Sequence, residues 1–341
     1  MKAMLLNNTS SFEQNPKPLH MVDIPIPIPV EKEILIKIKA CGVCHTELDE
    51  IEGRATPSFF PIILGHQIAG IVAQNGANAN KFKPGDRVGV GWIFSSCGKC
   101  SFCLSGLENL CSDFKATGKD ANGGYAEYIC VPEVSAFIIP NQFSDAEAAP
   151  LLCGGAIGYR SLKLANIRDG QTLGLTGFGA SGHQVLQLSK FMYPSSKVFV
   201  FSRSEKESRF AMTLGADWAG LTDQTPPELT DSIIDTTPAW KPIVMALQFL
   251  KPGGRLVINA IRKEDADKDQ LLTMNYRQHL WMEKEIKSVA NITRKDIEEF
   301  LPLAAAMNLK PTVTTIALED ANQALFDLKK GGLHGAQVLV V

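Results

Sequence analysis

The chain has 341 residues, enough for two domains with full cores. Its hydrophobic share of 45% is that of a globular protein, and a net charge of -2, from 34 basic and 36 acidic side chains, argues against a nucleic-acid partner. No basic, apolar leader and no long charge-free apolar run is present, so neither a membrane partner nor export is expected.

From Met1 to about residue 150 the pattern is β-rich. Pro18, Pro25, Pro27 and Pro29 hold the stretch up to Val30 in an extended edge or loop, because proline cannot donate to a ladder. Ile34, Ile36 and Ile38 alternate with Lys37 and Lys39, which predicts a half-buried strand. Residues 68–73, 87–90 and 125–131 read as further strands, with the turn Lys83-Pro84-Gly85-Asp86 before the second of them. Glycine and proline punctuation without a long helical period predicts a small barrel-like domain.

Two sets of metal-ligating residues lie in this region. Cys97, Cys100, Cys103 and Cys111 stand at offsets 0, 3, 6 and 14. Four thiolates at such spacing can close a tetrahedron around one zinc and leave no open position, so such a site is structural. Disulfides, idle thiols and an iron–sulfur cluster are the alternatives. Cys44, His66 and Cys153 could hold a second zinc with one open position, the arrangement of a catalytic site. Cys44 and His66 are 22 residues apart, so only the fold can unite them, and three inert buried side chains is the competing reading. Cys41 and Cys130 read as packing thiols. Reduced cysteine in such numbers fits a cytoplasmic protein.

The middle of the chain alternates strand and helix. Residues 172–176 form a short apolar strand, followed by Gly177-Phe178-Gly179-Ala180-Ser181-Gly182 and an apolar-faced helix from His183. Strand, glycine turn and helix are the context of a dinucleotide-binding fingerprint. Gly177 permits the turn, Gly179 admits the pyrophosphate near backbone, and Gly182 permits helix–strand contact. Strands at 197–201, 232–235, 255–259 and 287–290 and helices at 206–214 and 243–250 follow, the latter stopped by Lys251-Pro252-Gly253-Gly254. Alternation of this kind predicts a parallel, doubly wound sheet. Residues 264–270 read as a charged, solvated stretch. About 20 positions beyond the fingerprint, where a carboxylate normally reads the adenosine ribose, stand Ser202 and Arg203. Ser202 can donate to a 2′-phosphate and Arg203 offers a fork of donors, so NADP is favoured over NAD. Residues 294–308 and 320–330 read as helices, and residues 338–341 as a last apolar strand returning to the first domain.

In combination, Gly42-Val43-Cys44-His45-Thr46, Gly65-His66, the four-cysteine lobe, Cys153 and the glycine fingerprint resemble the zinc-dependent medium-chain alcohol dehydrogenases over essentially the whole chain. Residues 151–162 look closest to the bacterial, propanol-preferring branch. The resemblance implies an α/β protein with a GroES-like, β-rich catalytic domain over residues 1–153, a Rossmann doubly wound domain over 154–290, and a return to the catalytic domain over 291–341. It implies two zincs per chain, a catalytic one on Cys44, His66 and Cys153 and a structural one on Cys97, Cys100, Cys103 and Cys111, with NADP or NAD as hydride carrier. Small primary alcohols and their aldehydes are the implied substrates, with zinc polarising the oxygen. Thr46 matches the hydroxyl that passes the substrate proton, Trp92 and Ile93 fall where the family lines its alcohol pocket, and a homotetramer or homodimer is implied.

Several positions depart from the family pattern. Gln67 stands where Glu is common, Asp49 where a relay histidine is common, and Glu47 where Asp is usual. Ala336 occupies the place of a phosphate-binding arginine, which gives His45 more weight as a pyrophosphate ligand. A polyol dehydrogenase is disfavoured by Cys153, a zinc-free quinone reductase by Cys44 and His66. A cinnamyl-type aldehyde reductase shares nearly every ligand, and a non-enzymatic zinc-stabilised nucleotide-binding module needs no catalytic ligand set.

Overall fold

The computed structural model describes residues 1–331 and 335–341, apart from the side chain of residue 180. It divides into two compact units, Met1–Cys153 with Ile292–Val341, and Gly154–Asn291. Among the described residues no helix is long and apolar enough to cross a membrane.

The first unit is built on the ten-residue strand Glu33–Gly42, whose Ile34, Ile36 and Ile38 are all buried. Each such side chain contributes about 1.5–3 kcal/mol on leaving water. This strand pairs antiparallel with Ile68–Asn75, Tyr128–Pro132 and the terminal strand Ala336–Val340. Arg87–Val90 and Ala136–Ile138 extend the sheet on one side, and Val313–Ala317 lies parallel to the terminal strand on the other. A hairpin, Lys2–Leu6 with Leu19–Asp23, adds a smaller sheet. Cys41 faces Ile68 across the ladder, so the chain leaves one strand at Gly42 and enters its neighbour beside it. That register carries Cys44 and His66 to the same end of the sheet.

The second unit has six parallel strands in the order Trp218–Leu221, Lys197–Ser202, Thr172–Thr176, Thr230–Asp235, Leu250–Ile258, Glu285–Ser288. Counted along this unit the order is 3-2-1-4-5-6, the doubly wound arrangement whose switch point lies between the first and fourth strands. Two local expectations need correction. The helix before the proline–glycine turn is Lys241–Gln248, and Lys251-Pro252-Gly253-Gly254 lies within the next strand as a bulge, pairing resuming at Arg255 opposite Ser232. The bulge keeps Pro252 out of the ladder and allows Gly253 its φ of 69°. The last strand is Glu285–Ser288, two residues earlier than the apolar run suggests, because its register against Arg255–Ile258 decides. Trp218–Leu221, which carries no alternation, is the unexpected edge strand.

Candidate active site and metal centres

Cys44 ends the turn after Glu33–Gly42 and is the N-cap of the short helix His45–Ile51. His66 follows Gly65, whose φ of +96° is open to glycine alone, and a β-carbon there would lie 2.5 Å from the Tyr125 ring. Cys153 sits in Leu151–Gly155, which winds as a single π-helical turn after Pro150. Its neighbour Leu152 packs over Gly89, where an added β-carbon would come within 2.7 Å of the leucine. Three separate segments thus converge.

The outcome is a built ligand set. One donor atom from each of Cys44, His66 and Cys153 lies within 4.8 Å of the others, and His66 Nε2 is 3.3 Å from Cys153 Sγ. His66 is 1% exposed. Its other nitrogen, Nδ1, is 2.6 Å from Glu47 Oε1, and Glu47 Oε2 accepts the Cys44 backbone N–H at 2.7 Å. One carboxylate therefore fixes two of the three ligand segments and leaves Nε2 to face a metal, as metal-binding histidines require. Hydrogen bonding from Cys153 holds the Cys44 thiol well below its usual range, and the same bond together with burial pushes Cys153 up. Burial would lower His66, but Glu47 and Cys44 hold it well above its usual range. Metal binding to this set accordingly releases protons. Trp92 stands edge-on to His66, ring centroids 4.9 Å apart at 86°, and is 7% exposed. Ile93 beside it is buried.

Glu47 is the residue that motif reading passed over as a mere substitution for Asp. The signal was present in its position three residues after the N-cap, where a carboxylate reaches back to the cap N–H. Glu47→Gln should keep the fold, since an amide oxygen can still accept from Cys44, but lower zinc affinity at the Cys44 centre by about 10–100-fold. Competition with a chromogenic chelator measures this, and an unchanged affinity contradicts the assignment.

Thr46 is buried, with Oγ1 3.6 Å from Cys44 Sγ. His45 is exposed at the start of its helix. Asp49 is 3% exposed and its Oδ1 lies 2.6 Å from Arg54 Nε. Arg54 also meets Glu52, and Lys329 joins Glu52 at 2.6 Å to Glu13 at 2.7 Å. The Asp49 carboxylate thus belongs to a chain of ion pairs, a placement sequence spacing gave no hint of.

The four-cysteine lobe has a different construction. Cys97 Sγ and Cys103 Sγ are 3.8 Å apart, the edge expected of a tetrahedron with zinc–sulfur bonds of about 2.3 Å. All four sulfurs lie within 4.8 Å of one another, and every cysteine is free of disulfides. Backbone N–H groups point at the sulfurs: Cys100 N to Cys97 at 3.3 Å, Cys103 N to Cys100 and Cys97 N to Cys111 at 3.5 Å each. Such donors, from Lys99 and Cys100, hold the Cys97 thiol down to about 6. The lobe is fastened by Glu108, which accepts the Arg294 backbone N–H at 2.6 Å.

In the second unit Gly177 has a φ of +79°, and a β-carbon there would meet Thr237 at 2.7 Å. Gly179 caps the helix Ala180–Met192, and Gly182 lies on its first turn. Ser202 requires correction. It is fully buried, and its hydroxyl is taken up by Ser204 O and Ser208 Oγ, both at 2.8 Å. It braces the strand-to-helix turn, its hydroxyl engaged within the chain. Arg203 is 84% exposed, with Nε 3.0 Å from Glu207 Oε1.

Residues 30–141 match the family pattern described as "Alcohol dehydrogenase GroES-like domain". A protein named "Probable alcohol dehydrogenase AdhA" from Mycobacterium tuberculosis is 38% identical, over 95% of this chain and 93% of its own length. An alcohol dehydrogenase of Geobacillus stearothermophilus is 34% identical over 99% of this chain and 98% of its own. Among solved structures, a thermostable alcohol dehydrogenase from Pyrobaculum aerophilum has a TM-score of 0.88 at 24% identity, covering 100% of this chain and 99% of that one; it shares the fold.

Proposed function

The chain belongs to the zinc-dependent, medium-chain alcohol dehydrogenase family, and on that premise we propose that it interconverts small primary alcohols and aldehydes, with NADP or NAD carrying the hydride. The observation that carries the reading is the Cys44, His66, Cys153 set oriented by Glu47.

Cys44, His66 and Cys153 would hold one zinc and Cys97, Cys100, Cys103 and Cys111 a second; the first supplies Lewis acidity toward the substrate oxygen, the second only rigidity. A dinucleotide held by the second unit would supply the redox chemistry, as acceptor or donor of the hydride. Thr46 accepts the alcohol O–H hydrogen bond and passes the proton outward. Asp49 stands as the next group in that passage, with Arg54 holding its carboxylate in place. Trp92 and Ile93 give the pocket an apolar wall that receives an alkyl chain and repels water. Gly177, Gly179 and Gly182 serve the pyrophosphate.

Arg203 is the group in our reading that favours NADP. It is exposed and, among the described residues, pairs with Glu207 at i,i+4, a contact of at most about 0.5 kcal/mol that a phosphate can displace. The test is kcat/KM for propan-1-ol with NADP and with NAD, on wild type and on Arg203→Ala. Preference for NADP, reduced by about tenfold or more in the variant, is expected from loss of a charge-assisted pair. An unchanged preference contradicts the role of Arg203, and turnover confined to polyols contradicts the substrate class.

We read the assembly as a homodimer or homotetramer, supported by the edge strand Glu285–Ser288, exposed along its whole length. Light scattering should give a multiple of 37.1 kDa, and a monomer mass contradicts the reading. A cytoplasmic location is supported by the eight cysteines, all of them free thiols.

A further inference from the structure

The switch point of the second unit holds a buried ion pair that the chemistry above does not use. Asp235 ends the strand Thr230–Asp235 and is 0% exposed. Its Oδ1 accepts the hydroxyls of Thr176, at 2.6 Å, and of Thr237, at 2.8 Å. Thr176 is the last residue of the neighbouring strand, immediately before Gly177. The Lys263 side chain, 8% exposed, reaches in from beyond the next strand and places Nζ 2.5 Å from Asp235 Oδ2. The same nitrogen donates to Thr237 O at 2.7 Å and Ala239 O at 3.1 Å.

Three donors meet three acceptors, so the ammonium is saturated and its charge is matched. Lys263 is therefore not a ligand for phosphate. It is a strap over the loop 236–239. That loop is also tied to the fingerprint turn: Thr236 N donates to Thr176 O at 2.9 Å, and Thr237 fills the space beside Gly177 that a side chain would need. From the same segment as Lys263, Asp267 accepts the N–H groups of Trp240, at 2.9 Å, and Lys241, at 2.8 Å. The segment from Lys263 to Asp267 thus fixes both ends of the loop, one residue gripping carbonyls and the other N–H groups. Asp267 lies in the stretch 264–270 that composition marks as solvated, and at this position that stretch is structural.

In an open parallel sheet a dinucleotide lies outside the carboxyl ends of the strands, at the switch point. Asp235 and Thr176 are the carboxyl ends of the two strands that flank it. We propose that Lys263 is a positioning residue for the dinucleotide: by holding residues 236–239 against the fingerprint turn it presets the floor of the site, so that binding does not have to order the loop. The proposal rests on the dinucleotide-dependent reading above.

Lys263→Met removes the strap but leaves a buried carboxylate unmatched, which by itself destabilises. Lys263→Met with Asp235→Asn removes the strap and the stranded charge together. Affinity is read by fluorescence titration with NADPH and with NADH, alongside melting temperature. The melting temperature should fall in the single variant and recover in the double one. Dissociation constants should rise about tenfold in both, the loss expected when a loop must be ordered on binding. A double variant that binds within about twofold of wild type overturns the proposal, since that outcome makes Lys263 purely structural. Hydrogen exchange on the wild type needs no variant: slow exchange at the amides of Thr236, Trp240 and Lys241 without dinucleotide is expected, and exchange at open-loop rates there overturns the proposal. Wild type that binds neither dinucleotide instead removes the reading on which the proposal stands.

Discussion

Replacing Cys44 with serine should cut kcat for propan-1-ol by about 10³-fold or more, the factor for losing several kcal/mol of charge stabilisation at about 1.4 kcal/mol per decade. The hydroxyl is a hard, weakly acidic donor in place of a soft thiolate, so the remaining His66 and Cys153 cannot retain zinc in a dry, oriented site. The fold should survive, because Cys44 is also the N-cap of His45–Ile51 and serine is among the best residues for that position. The expected signature is therefore specific: melting close to wild type, turnover lost, and zinc reduced at the Cys44 centre but retained in the four-cysteine lobe. Turnover at the wild-type rate in a variant that has lost this zinc contradicts the catalytic assignment.

Thr46→Ala should lower the chemical step by about 10²-fold, the contribution of a positioned proton-transfer group, while Thr46→Ser keeps most of the activity. Thr46 Oγ1 lies 3.6 Å from the Cys44 sulfur, which places the hydroxyl beside the ligand set, and the residue is 7% exposed, so bulk water does not easily stand in for it. A hydroxyl that merely packed against the helix would lower stability without altering the pH dependence. The relay role instead requires the pH profile of kcat to change in the alanine variant while the metal content stays constant. An alanine variant with the wild-type kcat and pH profile contradicts the role.

What was legible in the sequence follows from how far each feature reaches along the chain. The four-cysteine cluster is local: its spacing alone points to one centre, and the four sulfurs do meet. The fingerprint is also local, and its strand–turn–helix context is present in the structure. Cys44, His66 and Cys153 are not, and residue spacing left them as two thiols and one ring without a reason to meet. Only the pairing of Cys41 with Ile68 and the seating of Leu152 over Gly89 bring their donor atoms together. The same reason hides the partners of Glu47 and of Lys263, each of which binds a group far along the chain. Ser202 was misjudged because counting from a motif gives position along a strand but not which way a hydroxyl turns, and Ser204 and Ser208 take it up. The strand through Lys251-Pro252-Gly253-Gly254 was misjudged because a bulge hides breaker residues from the ladder.

The zinc content of wild-type protein purified without added metal, followed together with turnover during stepwise chelation, tests the central claim most directly. Two zincs per chain are expected, one for each ligand set. Turnover of small primary alcohols should fall in proportion to loss of the first zinc removed from the Cys44 centre and return when zinc is restored. Folded protein that holds one zinc or none and turns over undiminished contradicts the account.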